Sequence, residues 1–203
     1  YMLNCGLGTV LMPILAIVVL VKGRSLLQNF LQFLEGEQMG SIIVIIAVAA
    51  VCLLASMNDM VVPSVSLEGK NLWILQSLPV KPWNILRAKL SMQLLLTGIP
   101  VFLCEVCIVV CVRADVVQSL FILILPLIFT VMLTVFGLFL GINMPNLTWT
   151  NELAPIKQSL SVVISMFGGW AVAVGMVGLY FACGKKLGEI GYLSLVTLVF
   201  VLI

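Results

Sequence analysis

The chain has 203 residues, of which 63% are hydrophobic and 9% are charged, and its formal net charge is +2. About a quarter of the residues in a soluble domain are charged, so this composition excludes a soluble globular protein and indicates an integral membrane protein. The small net charge gives no reason to expect nucleic acid as a partner, and the absence of histidine removes the usual general base and the commonest metal ligand.

Six apolar runs approach the length of about 20 residues that a membrane-spanning helix needs. They lie near residues 3–21, 41–62, 91–112, 116–140, 160–183 and 191–203. We therefore predict an all-α fold, a polytopic membrane bundle of about six transmembrane helices in one domain, residues 1–203. The chain opens at Tyr1 and its last run is too short to span, so we expect it to be a piece of a longer polypeptide.

The connections between the first four runs differ in character. Between the first two runs, apolar residues from Leu26 to Leu34 alternate with polar ones at helical spacing, which predicts a separate short helix in the membrane interface. Only Arg113, Ala114 and Asp115 separate the third and fourth runs, which predicts a tight helical hairpin.

Charge, tryptophan and proline gather in one long interval between apolar runs, residues 63–90. Helix patterns on both sides of a break at 77–82 predict a pair of short interfacial helices. Lys and Arg in short loops mark the cytoplasmic side, so we assign this loop, and with it the loop of residues 141–158, to the cytoplasm. Under this topology the ten Lys and Arg residues, with the cluster included, divide equally between the two sides, so the orientation depends on their concentration in this one loop.

Small residues and cysteines recur at helical spacing inside the runs. Small residues at intervals of three and four let membrane helices approach closely, either within the chain or against a second copy. They are Gly137 and Gly141 in the fourth run and Ser161, Ser165, Gly169, Ala171, Gly175, Gly178 and Ala182 in the fifth. Cys104, Cys107 and Cys111 would lie on one helix stripe, where reduced thiols pack as small hydrophobic groups.

Two strings in the predicted cytoplasmic loops resemble a known family. Residues Ser66 to Pro79 read S-L-E-G-K-N-L-W-I-L-Q-S-L-P, and Lys89-Leu90 closes that loop. Residues Asn146 to Glu152 read N-L-T-W-T-N-E, followed by Lys157-Gln158-Ser159. Together they resemble the permease subunits of bacterial ABC-2-type exporters and are most similar to one branch of ABC exporters within that group. The two strings also occur in the order found in such permeases.

The resemblance implies a multi-pass permease subunit of an ATP-driven exporter in the bacterial cytoplasmic membrane, and a longer permease of which this chain is a piece. It implies that the chain is not an enzyme: a separate ABC ATPase subunit would bind ATP and Mg²⁺. The other implied partners are the lipid bilayer and a second permease copy or half. The sequence agrees, because it lacks the G-x-x-x-x-G-K-[ST] phosphate loop, and we expect no directly bound cofactor or metal.

In such permeases a cytoplasmic loop carries a coupling helix that docks on the ATPase, and the resemblance assigns that role to the loop of residues 63–90. The assigned coupling residues are Glu68, Lys70, Trp73, Pro79, Lys81, Pro82, Trp83, Arg87 and Lys89. The second loop adds Asn146, Trp149, Asn151, Glu152 and Lys157. Aromatic and arginine side chains commonly anchor interfaces. The alternative is that the tryptophans lie at the level of the lipid headgroups and the lysines fix only the topology.

Glu105 is the one acid well inside an apolar run. Fifteen residues beyond Leu90, at about 1.5 Å per residue, place it about 22 Å into a core about 30 Å thick. Acids at this depth often line a substrate path, although a carboxyl packed between helices is the other interpretation. If Glu105 and Asp59 bound a coupling ion, the chain would instead be an ion-coupled secondary transporter or a channel. An intramembrane enzyme is disfavoured, because no histidine or G-x-S-x-G motif is present.

Overall fold

The computed structural model describes residues 6–33, 39–69, 72–77, 79–112, 115–146, 149, 156, 159–184 and 188–202. Within them the fold is all-α, as predicted. The helices are α1 (Leu7–Phe33), α2 (Met39–Ala55), α3 (Val61–Leu67), α4 (Leu72–Ser77), α5 (Pro82–Val112), α6 (Val116–Asn143), α7 (Leu160–Leu179) and α8 (Glu189–Leu202). A π-helical turn, Tyr180–Gly184, continues α7.

Three helices are long and apolar enough to cross a membrane, namely α5, α6 and α7 with the start of its π-helical turn. Shorter apolar helical segments span Leu7–Gly23, Ile42–Ala55 and Glu189–Leu202. Large apolar side chains face outward along the long helices, and Leu95 and Phe139 are 63% and 61% exposed. Such surfaces suit lipid rather than water, so the chain is a multi-pass membrane protein with at least these candidate spans.

The apolar core lies where α1, α2, α5, α6, α7 and α8 meet. α1 packs chiefly against α5, and α5 packs against α6. Phe129 of α6 is fully buried and contacts Phe200 of α8, with 5.6 Å between the ring centroids. The helices that form this core are therefore the longer ones, while α3 and α4 lie toward one end of the bundle.

The second apolar run does not form the single helix predicted for 41–62. α2 ends at Ala55, and α3 begins only at Val61. Ser, Asn and Asp residues lie between them, and their side chains compete for backbone hydrogen bonds and so favour turns over helix interiors. Pro63 lies in the first turn of α3 and is buried, where a residue without an N–H is tolerated. The prediction that the loop begins at Pro63 is therefore wrong.

The third spanning helix begins earlier than the predicted start at Ser91. The break predicted at 77–82 is present, since α4 ends at Ser77 and α5 begins at Pro82. The second predicted interfacial helix is instead the beginning of α5, since no glycine or proline follows Pro82 before Leu90 to end the helix. Trp83 and Arg87 thus lie on a helix that continues across the bundle.

The predicted interfacial helix near Leu26 is also continuous with its neighbour. α1 extends without a break from Leu7 to Phe33, although the first run was predicted to end near residue 21. Gly23 lies inside this helix and is buried. A Cβ added there would be 3.4 Å from the Cys111 sulfur, an ordinary van der Waals distance, so α1 and α5 pack here without a close approach that needs glycine.

The helical hairpin between the third and fourth runs has the predicted limits. α5 ends at Val112 and α6 begins at Val116. Asp115 precedes α6, and its backbone N–H donates to Oε1 of Gln118 at 3.1 Å, which satisfies one of the donors left unpaired near a helix start. The Gln118 amide also donates to Glu189 of α8 at 2.9 Å.

The three cysteines of α5 pack as predicted. Cys104 is buried in the core, and Cys107 is partly buried against it. The Cys111 thiol donates to the backbone carbonyl of Val19 on α1, with 3.1 Å between sulfur and oxygen.

Gly137 and Gly141 bring α6 into contact with α3. A Cβ added at Gly141 would lie 2.5 Å from the carbonyl oxygen of Val62, and one at Gly137 would lie 2.9 Å from a methyl of the same residue. The intrachain packing interpretation is therefore confirmed for this pair.

The small residues of α7 lie on two different faces. Gly169 is buried, and an added Cβ would lie 2.5 Å from the Cβ of Ser56. Gly175 and Gly178 have nothing within 4 Å of the corresponding position. One set of small residues thus packs within the chain, and the other set faces outward.

We expect Gly141→Ala to destabilise the bundle, because a methyl group there would push against the α3 backbone. Overpacking of this kind costs about 1–3 kcal/mol. Gly178→Ala is the matched control, since that position is open and is also a glycine inside a helix. The measurement is the thermal unfolding midpoint of the purified protein in detergent. Equal midpoints for the two variants would contradict the close contact between α6 and α3.

Candidate functional site

The structure brings the two loop strings together at the end of α3. The hydroxyl of Ser66 accepts a hydrogen bond from the backbone N–H of Asn146 at 3.0 Å. The backbone carbonyl of Ser66 accepts one from the indole N–H of Trp149 at 2.8 Å. That carbonyl also accepts the backbone N–H of Glu68 at the end of α3, so the tryptophan adds a second bond at this helix end. The second loop is thereby attached to the first.

A second attachment joins the end of α3 to α5. The Lys89 ammonium lies 2.6 Å from a carboxylate oxygen of Glu68 and donates to the carbonyl of Ser64 at 3.2 Å. Both side chains are largely shielded from solvent, which strengthens an ion pair relative to one on an open surface. The segment that carries α4 is therefore held at both of its ends.

Between these attachments, α4 and the start of α5 present large side chains outward. Trp73 is 66% exposed and Trp83 is 65% exposed. The other assigned coupling residues that are exposed are Pro79, Lys81, Pro82 and Arg87. The aromatic surface of both tryptophans is available to a partner or to lipid headgroups. We call this set of exposed residues the docking surface.

A groove of about 410 Å³ lies beside the ion pair. Its lining includes Glu68, Lys89, Val80 and Asn84. The docking surface therefore borders a groove that contains one ion pair.

Four of the assigned residues lie outside the described residues. They are Lys70, Asn151, Glu152 and Lys157. Their assignment to the two cytoplasmic loops stays a prediction.

Glu105 lies in the interior of the bundle. Its side chain is fully buried, and neither carboxyl oxygen has a hydrogen-bond partner among the described residues. It lies on the same buried face of α5 as Gln93, Thr97 and Val101, and Cys52 of α2 faces it. The structure thus places Glu105 in the core between helices, as the packing interpretation supposes.

A buried polar network at the interruption between α2 and α3 was missed from the sequence. The amide oxygen of Asn58 accepts the backbone N–H of Thr9 at 2.8 Å. Gln93 of α5 accepts the N–H of Met60 at 3.2 Å and donates to the carbonyl of Asn58. One glutamine side chain therefore replaces the backbone partners that the interrupted helix lacks.

Asp59 lies within the same interruption and is only 6% exposed. Its carboxyl is enclosed by the bundle and faces Ser165 of α7. In the sequence, a short interruption, S-M-N-D, lies inside an apolar stretch. Hydropathy averaged over the length of a spanning helix conceals so short an interruption.

No family model, curated protein or solved structure matches the chain.

We expect Trp149→Phe to loosen the second loop, because phenylalanine cannot donate to the Ser66 carbonyl. The loss should be about 1 kcal/mol, the usual contribution of one such hydrogen bond. It would appear as faster protease cleavage within residues 141–158 and a lower unfolding midpoint. Trp73→Phe is the control, since Trp73 is mostly exposed and should tolerate the change. If both variants behaved like the wild type, the attachment of the two loops would be wrong.

Proposed function

We propose that this chain is the membrane-spanning permease subunit of an ATP-driven, ABC-2-type exporter in the bacterial cytoplasmic membrane, with about six transmembrane segments. It moves substrate across the bilayer, while a separate ABC ATPase subunit binds Mg²⁺ and hydrolyses ATP. The observation that carries this proposal is the docking surface, where Trp73 and Trp83 protrude from a segment fixed at both ends.

The attachments of this segment support a role in transmitting force. A flexible loop would absorb the movement of a partner, but α4 is joined to α3 and α5 by short connections. The pair Glu68 and Lys89 prevents those two helices from separating freely. Movement of an ATPase against the docking surface would therefore reach the membrane helices.

The continuity of α5 supports the same role. This helix begins at Pro82 and extends to Val112 as 31 residues, about 46 Å at 1.5 Å per residue. Trp83 and Arg87 lie at one end of it, and Glu105 lies in the bundle core. A displacement at the docking surface would pass along α5 toward Glu105, through the turn at Pro100, where a helix lacks one backbone hydrogen bond and can bend.

The outward face of α7 supports a second permease copy or half as a further partner. Gly175 and Gly178 have no neighbour that a Cβ would meet, and Ala171 and Ala182 are exposed as well. Small residues in this arrangement let another membrane helix approach closely.

We expect the double variant Trp83→Ala, Arg87→Ala to reduce copurification of the ATPase subunit. Loss of interface anchors typically costs about 2 kcal/mol or more, roughly thirtyfold in affinity. Leu95→Ala is the matched control, because Leu95 is a large exposed residue of the same helix that lies within the apolar span. The measurement is the amount of ATPase recovered with tagged permease from cells that express both.

Full ATPase recovery and ATP-dependent transport by the double variant would remove the main support for the exporter. If the variant instead kept full ATPase recovery and lost only the rise in its unfolding midpoint on addition of anionic lipid, Trp83 and Arg87 would be headgroup anchors.

The second candidate function is ion-coupled secondary transport or ion conduction. The buried acids Glu105 and Asp59 favour it, and so does the interruption between α2 and α3. Discontinuous helices form ion sites in many secondary transporters. This function requires an ion gradient and no ATPase partner, so transport in vesicles without ATP separates it from the exporter.

We expect Glu105→Gln to reduce transport if the carboxyl lines the translocation route, because the change removes only its ability to ionise. Abundance and ATPase copurification should be unchanged, since glutamine has nearly the same shape. Transport is measured in vesicles with normalised amounts of protein. Transport at the wild-type rate would support the interpretation that Glu105 is only a packed carboxyl.

A further inference from the structure

The groove beside the docking surface lies where the end of α3 meets the first turns of α5. Its volume of about 410 Å³ is within the range of about 300–1,000 Å³ found for small-molecule sites. Asn84, Ala88 and Met92 line it from α5, and their spacing of four residues places them on one face of that helix. Glu68 lines it from the end of α3. The walls of the groove are therefore two helices that the ion pair of Lys89 and Glu68 joins.

Three polar side chains of the lining can bind a ligand in addition to their present partners. An ammonium has three donors, and within the described part of the chain Lys89 uses two of them, toward Glu68 and the carbonyl of Ser64. Glu68 is bound through Oε2 and is 32% exposed, so its Oε1 can accept from a ligand. The side chain of Asn84 is exposed and has two amide donors. The groove can thus receive one negative and one positive group.

The groove opens onto the apolar surface of α5. Ala88 is exposed, and Met92, Leu95 and Ile99 are 50%, 63% and 58% exposed. With 3.6 residues per turn, these four positions lie within about 60° of one another around the helix. The apolar run predicted to span the membrane begins at Ser91. The polar end of the groove therefore lies at the edge of the span, and its other end continues into a lipid-facing stripe.

We infer that this groove binds one phospholipid with a phosphoethanolamine headgroup. Lys89 and Asn84 hold the phosphate, and Glu68 holds the ammonium. An acyl chain follows Met92 and Leu95 along α5. The lining carries one acid and one base, which complements a headgroup with one positive and one negative charge.

The same groups disfavour other common headgroups. A choline headgroup has no N–H to donate to Glu68, so it forms no charge-assisted hydrogen bond there. A glycerol headgroup leaves the phosphate charge unbalanced beside the Glu68 carboxylate, and like charges at close range repel. The site therefore selects the headgroup by its ammonium.

The lipid site goes beyond the exporter proposal and does not depend on it. Trp83 lies one residue before Asn84 and so about 100° away around α5, and Arg87 lies in the same row as Trp83. An ATPase could contact those two side chains while the lipid occupies the groove. Lipid binding is measured without an ATPase or a transported substrate, so its failure and that of the exporter are distinguishable.

The test uses the whole protein purified in detergent, with phospholipid added to the micelles. Phosphatidylethanolamine, phosphatidylcholine and phosphatidylglycerol with identical acyl chains are compared by the unfolding midpoint and by lipid retention in native mass spectrometry. We expect a saturable rise in the midpoint with phosphatidylethanolamine, as for a ligand that binds only the folded state, and about one retained lipid per chain. The other two lipids should bind roughly tenfold more weakly.

Asn84→Ala should weaken phosphatidylethanolamine binding roughly tenfold, because a hydrogen bond to the charged phosphate is lost. Ser91→Ala is the matched control, since Ser91 is an exposed polar residue of the same helix that does not line the groove. Ala88→Leu should fill the groove and abolish the preference while all charges stay in place. Glu68→Gln should reduce the preference for phosphatidylethanolamine over phosphatidylglycerol.

The proposal is wrong if the three lipids stabilise the wild type equally or if phosphatidylglycerol is preferred, because the groove would then not recognise the ammonium. It is also wrong if glycerophosphoethanolamine, which lacks acyl chains, gives the same rise, since a soluble phosphate would then be the ligand. Each variant is compared with its own midpoint in the absence of lipid. If Glu68→Gln fails to fold, Asn84→Ala and Ala88→Leu decide the question, and an unchanged lipid preference in both would overturn the site.

Discussion

The need to satisfy an interrupted backbone inside an apolar bundle governs the arrangement of the surrounding helices. Backbone groups away from water must find partners within the protein, and the side chains of Gln93 and Asn58 provide them. These bonds require α1 and α5 to come close to the interruption, and Gly169 of α7 packs against Ser56 beside it. Gly8 on α1 allows this approach, since a Cβ there would clash with the carbonyl of Leu54.

The same interruption determines where the docking surface lies. It allows α3 to follow α2 as a separate buried helix that contacts α6 through Val62. α3 then ends at Ser66 and Leu67, where the second loop and Lys89 are within reach. The exposed tryptophans are consequently positioned by contacts in the bundle and not by the loop alone.

The sequence predicted the features that depend on local composition. The all-α class, the break after Ser77 and the limits of the hairpin at Val112 and Val116 are confirmed, because prolines, polar residues and apolar runs specify them directly. The predicted end of α2 was wrong. The observed interruption depends on the bond between Met60 and Gln93, which are 33 residues apart. No local pattern reports a partner at that separation. The roles of the docking surface and of Glu105 stay predictions.

The attachment of Trp149 to Ser66 also constrains the order of assembly. The two residues are 83 positions apart, and chains are synthesised and begin to fold from the N-terminus. α4 therefore emerges from the ribosome long before the residue that secures its preceding helix. A nascent chain that stops short of the second loop would hold this segment through the pair of Lys89 and Glu68 alone.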